Sequence, residues 1–139
     1  MYKTILAALL ILALSACVSE TRPASDLTVE MNDFSYTPSS ITVAAGELVE
    51  MKIKNIGQIE HDFVVERIDV SSVSTEGSGV GEHHMGGNHE EYDLHVSTIA
   101  GETSVLKFIP NAPGIYKIFC SVDGHEAAGM IGELIVVSK

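Results

Sequence analysis

The chain has 139 residues and carries 8 Lys and Arg against 19 Asp and Glu, for a net charge of −11. That length suits one domain, and the acidic balance excludes a nucleic-acid-binding face, which needs clustered basic side chains. Two cysteines are too few for a disulfide scaffold or a four-cysteine zinc site, while 45% hydrophobic residues suffice for a packed core.

At the N-terminus, Lys3 supplies a positive charge and residues 5–14 (ILAALLILAL) form a ten-residue apolar run. This is the length of a signal h-region and falls short of the ~18 residues of a membrane span. The run ends in Leu14-Ser15-Ala16-Cys17, which resembles the lipobox of bacterial lipoprotein signals. The resemblance implies a signal peptide over 1–16, lipid on Cys17, and a protein anchored to a membrane outside the cytoplasm, periplasmic or cell-surface. An ordinary secretory signal with a chance cysteine is the alternative. Residues 17–26 are small and polar and read as a tether; the domain proper is 27–139. With Cys17 lipidated, Cys120 has no intramolecular partner, so it is either buried and inert or it binds a metal or reacts.

Short β-type runs follow in order. Residues 27–31 and 40–44 alternate apolar and polar. Residues 48–56 set Met51 and Ile53 against Glu50, Lys52 and Lys54. Further runs cover 61–68, 92–99, 103–109, 115–120 and 131–137. Gly46, Gly57, Gly101, Pro110, Pro113, Gly114 and Gly124 punctuate them. About eight short strands at this spacing predict an all-β sandwich or barrel, built from antiparallel strands that each bury one face. Residues 71–91 break the rhythm. They are rich in Gly and Ser, contain no Lys or Arg, and hold His83, His84, Met85 and His89. This stretch is expected to be a long loop insertion, longer than ordinary connections and therefore functional or mobile.

The chemistry concentrates in Cys120-Ser-Val-Asp-Gly-His125-Glu-Ala-Ala-Gly-Met130. A thiol, an imidazole and a thioether, each separated from the next by four residues, sit in a loop between two predicted strands. Thiolate and thioether are soft ligands, and imidazole suits copper as well. A trigonal His₂Cys site with a weak axial Met needs a second histidine. His61, opening a β-run after a turn, is the candidate. Taken singly, Cys120 would read as a buried structural thiol and Met130 as core packing.

Taken together, the chain resembles the cupredoxins, the small blue-copper electron-transfer family. The motifs that carry the resemblance are Asp33-Phe-Ser-Tyr-Thr-Pro38 leading to Gly46, Lys54-Asn55 before His61-Asp62-Phe63, Pro113-Gly114-Ile-Tyr116-Lys-Ile-Phe119-Cys120, and Gly129-Met130-Ile-Gly132. They span roughly 27–139. The Cys-x₄-His-x₄-Met spacing is closer to the auracyanin and rusticyanin branch than to plastocyanin. The resemblance implies a Greek-key β-sandwich that holds one type 1 copper. His61, Cys120 and His125 would be equatorial ligands and Met130 the long axial one. It also implies electron exit through the edge of His125, with Gly124, Ala127, Ala128 and Gly129 as a small apolar rim. Two positions depart from common family patterns. Asp62 follows His61, where many relatives carry Asn or Ser. Val122 replaces a Pro found in plastocyanins and so can offer a second amide to the Cys120 sulfur.

The function expected is an extracytoplasmic electron carrier and not an enzyme, monomeric, docking redox partners such as a cytochrome with a basic face. The alternative is a copper chaperone, store or resistance protein that uses His83, His84, Met85 and His89 as a secondary metal site. The bland reading of that cluster is a solvated loop, and its glycines make a preformed site entropically costly. A metal-free cupredoxin-like binding module is a third reading.

Overall fold

The computed structural model describes residues 26–77 and 92–139. Cys17, His83, His84, Met85 and His89 lie outside the described residues. Ten strands are present among those described: β1 (Asp26–Asn32), β2 (Ser35–Thr37), β3 (Ser40–Ala44), β4 (Val49–Asn55), β5 (His61–Val65), β6 (Val70–Glu76), β7 (Leu94–Thr98), β8 (Thr103–Pro110), β9 (Gly114–Phe119) and β10 (Ile131–Val137). They form two five-stranded sheets, ordered β2-β1-β4-β8-β6 and β3-β10-β9-β5-β7. The expected all-β sandwich is what the chain adopts.

Alternation builds the core. Along β4, Val49, Met51, Ile53 and Asn55 are buried while Lys52 and Lys54 face solvent. Along β8, Ser104, Leu106, Phe108 and Pro110 are buried. Successive side chains of a strand point to opposite faces, so each run supplies one apolar stripe. The two stripes meet Phe63, Val65, Leu94, Val96, Ile118 and Leu134 of the other sheet. Full burial of each large side chain contributes roughly 1.5–3 kcal/mol. β5 is buried along its whole length because it lies between β7 and β9.

Three expectations need correction. The count of about eight strands omits β2 and β6. β2 has only three residues and exists as the return arm of a two-residue hairpin on β1, in register Asn32↔Ser35 and Met31↔Tyr36. β6 occupies the start of the expected loop over 71–91. It is an exposed edge strand of Ser, Thr and Val, held by backbone pairing to β8 with a bulge between Ser71 and Ser74. With no buried stripe it carries no alternation signal. Nor is the pairing wholly antiparallel. β1 pairs with β4, and β3 with β10, in parallel.

Tyr36 ties the sheets together near the site. Its hydroxyl donates to the Asp62 carbonyl at 2.6 Å, and its ring meets Phe63 edge-on at 6.0 Å. Burial pushes its phenol far above the ordinary tyrosine range, so it stays a neutral donor.

Candidate metal centre

The topology brings His61 and Cys120 to one end of the sandwich. His61 opens β5. β5 pairs with β9 through Val64↔Phe119, and Cys120 is the next residue. β9 and β10 are antiparallel with Ile131 opposite Phe119. Cys120 and Met130 therefore face each other across the neck of one loop, where Cys120 N–H donates to the Met130 carbonyl at 3.3 Å.

The loop closes on itself through turns. His125 N–H donates to the Val122 carbonyl at 3.0 Å, Ala128 N–H to Gly124 at 2.9 Å, Gly129 N–H to Glu126 at 2.9 Å, and Met130 N–H to the His125 carbonyl at 3.0 Å. Gly129 has φ +100°, a backbone state open to glycine and costly for residues with a Cβ. This lets the chain reverse into β10. The four-residue gaps thus become a wound loop that returns His125 toward Cys120.

One ligating atom from each of His61, Cys120 and His125 lies within 4.8 Å of the others. His61 Nδ1 is 3.2 Å from His125 Nδ1, and Cys120 Sγ is 3.3 Å from the same nitrogen. All three residues are buried, as is Met130. The expected residues His61, Cys120 and His125 are thus brought together, and Met130 is bonded through its main chain to both Cys120 and His125.

Two amides act on the sulfur. Asp62 N–H donates to Sγ at 3.3 Å, and the Val122 amide favours the thiolate in the same direction. Burial pushes the Cys120 thiol up; these two amides oppose the shift without cancelling it. Metal binding at such a thiol must release a proton. The Asp62 carboxylate does not join the cluster. It accepts from the Ser121 hydroxyl and lies 3.7 Å from His95 Nε2. Burial alone would raise the Asp62 carboxyl, but the nearby His95 ring and the Ser121 and Ser97 hydroxyls outweigh it and hold the group below the usual carboxylate range.

Asn55 has a role that reading the sequence missed. It is fully buried. Its Nδ2 donates to the Ile59 and Thr98 carbonyls at 2.8 and 2.7 Å, and its Oδ1 accepts Gly57 N–H at 2.9 Å. It therefore pins the turn that delivers His61. The available signal was Asn-x-Gly, the pattern of an Asx-turn.

The family model for copper-binding proteins of the plastocyanin/azurin family matches residues 23–137. The chain belongs to this family. It is 31% identical over 107 residues to a plastocyanin of Dryopteris crassirhizoma, covering 77% of this chain and 92% of that one. It is 28% identical over 101 residues to the copper-resistant cuproprotein CopI of Rubrivivax gelatinosus, covering 73% of this chain but only 59% of the relative. Among solved structures, the dithionite-reduced auracyanin of the photosynthetic bacterium Roseiflexus castenholzii superposes with a TM-score of 0.63 at 18% identity, over 83% of this chain and 98% of that chain. A multicopper oxidase of Campylobacter jejuni gives 0.57 at 14% identity, over 87% of this chain and 31% of the oxidase. At these identities the structural matches speak to fold.

As a cupredoxin the chain takes one copper. The buried cluster fits it: one thiol and two imidazole nitrogens converge with a thioether residue close by, and among the described residues no carboxylate joins the group. This donor set suits copper better than hard, oxygen-seeking cations.

Asn55→Ala should destabilise the protein by about 3 kcal/mol, because one buried carbonyl, one part-buried carbonyl and one amide lose their partner together. Urea unfolding of the metal-free protein measures it. A loss below about 0.5 kcal/mol would remove Asn55 as the pin of the His61 turn.

Proposed function

We propose that this cupredoxin is a one-electron carrier working outside the cytoplasm. His61, Cys120 and His125 are the equatorial copper ligands and Met130 is the axial one. The observation that carries this reading is the mutual approach of the two Nδ1 atoms and Sγ in a buried site already assembled by the fold. When bound, copper supplies a Cu(II)/Cu(I) couple. The chain's own part is to keep the donors in place in both states and to exclude water. The Asp62 and Val122 amides withdraw charge from Sγ, weaken its donation and push the potential up.

His125 is 6% exposed and shares its loop with the exposed Gly124, Ala127, Ala128 and Gly129. This small apolar rim suits brief docking of a redox partner. The acidic chain attracts a partner with a basic face over long range. The lipobox-like Leu14-Ser15-Ala16-Cys17 supports lipid anchoring at Cys17. Cys17→Ala should then move the protein from the membrane to the soluble fraction, and membrane retention of the processed variant would contradict the anchor.

The kinship with a copper-resistant cuproprotein favours copper handling as a second reading, with His83, His84, Met85 and His89 as its added ligands. Stoichiometry separates the two. The carrier retains one copper through repeated oxidation and reduction, and changing His83, His84 and His89 together to Ala leaves uptake unchanged. Binding of several coppers in the wild type, reduced to one in that variant, would favour handling.

A further inference from the structure

The turn between β1 and β2 reaches both histidines of the centre. Asp33 Oδ1 lies 3.1 Å from His61 Nε2 and accepts the Gln58 N–H at 3.0 Å. Asp33's own N–H is held by Asn32 Oδ1 at 2.9 Å. The next residue, Phe34, has φ +64°, uncommon for a bulky side chain and a sign of a conformation imposed by its surroundings. Its ring meets the His125 ring edge-on at 5.1 Å. Gly57 makes room for the contact: a Cβ there would strike Asp33 Oδ1 and approach His61 Nε2 to 3.0 Å. Two consecutive turn residues thus bear on the two imidazoles, one by charge and one by packing.

A carboxylate accepts hydrogen bonds and has none to donate. The proton of the Asp33–His61 bond therefore sits on Nε2, leaving the Nδ1 lone pair toward Cys120 and His125. An acidic partner on the far nitrogen also makes the ring a stronger donor. An aspartate carboxyl is ionised at neutral pH by its ordinary acidity, and here its Oδ1 meets both the Gln58 amide and the His61 ring.

We propose that Asp33 is a positioning residue of the copper centre: its carboxylate locks His61 in the Nε2–H tautomer, and its charge favours Cu(II) over Cu(I). The proposal rests on His61 being a copper ligand, as read above. It sets the charge of Asp33 against the sulfur-bound Asp62 amide, which acts in the opposite direction on the potential.

Two measurements on the full chain test it. The first is ¹⁵N NMR of the His61 ring in the metal-free protein, comparing wild type with Asp33→Ala. The wild type should show the Nε2–H form, and Asp33→Ala a mixture of tautomers. The second is the midpoint potential of copper-loaded wild type and Asp33→Asn, which keeps an acceptor oxygen and removes the charge. The variant should retain its thiolate–copper absorption. Its Cu(II)/Cu(I) affinity ratio should fall about tenfold, which raises a one-electron potential by about 59 mV. An unchanged potential beside a normal absorption band, or an unchanged His61 tautomer in Asp33→Ala, overturns the proposal. If the wild type forms no thiolate–copper centre, the reading of His61 as a ligand fails instead. The metal-free spectra then still decide whether Asp33 holds the ring.

Discussion

The centre depends on how the main chain of Asp62 is held. Its N–H donates to the Cys120 sulfur and its carbonyl accepts from the buried Tyr36 hydroxyl. One residue therefore joins the strand that starts with His61, the thiol that ends β9, and the short strand β2 of the opposite sheet. Move Asp62, and His61 and Cys120 part. The Asp62–Cys120 bond needs β5 beside β9 in one sheet and the Tyr36 bond needs the two sheets packed, so the site is a product of the sandwich and not of the loop alone.

Rigidity follows from the same arrangement. The loop between β9 and β10 is closed by its own turns and clamped at its neck by the Cys120–Met130 main-chain bond. The turn before His61 is pinned from within by Asn55. Asp33 and Phe34 bear on the two rings from a third direction. Donors fixed from three sides have little room to rearrange when a bound ion changes charge. That is what a one-electron carrier needs, and a protein that must release its metal would be served less well.

Much of the fold was legible in the sequence because it rests on period-two alternation. All eight runs that alternate or bury apolar residues are strands. β2 and β6 were not legible. One is three residues long, and the other, Val70–Glu76, is a solvent-facing edge held chiefly by its backbone ladder with β8. The parallel pairings of β1 with β4 and β3 with β10 leave no mark on either strand's own sequence. At the site, Cys120, His125 and Met130 could be read as a group because they share one loop. His61 is 59 residues before Cys120, so the need for a second histidine made it a candidate and family resemblance did most to connect it. Asp33, Tyr36 and Asn55 stood inside recognised motifs without a role, since their partners His61, Asp62 and Thr98 are set by tertiary packing.

The most direct test of the central claim is a titration of the metal-free protein with Cu(II), followed by visible absorption and EPR. One equivalent should produce an intense blue or green thiolate–copper band with narrow copper hyperfine splitting, and Cys120→Ala should abolish both. A pale solution with ordinary Cu(II) spectra that saturates at several equivalents would contradict the assignment of His61, Cys120, His125 and Met130 as an electron-transfer centre.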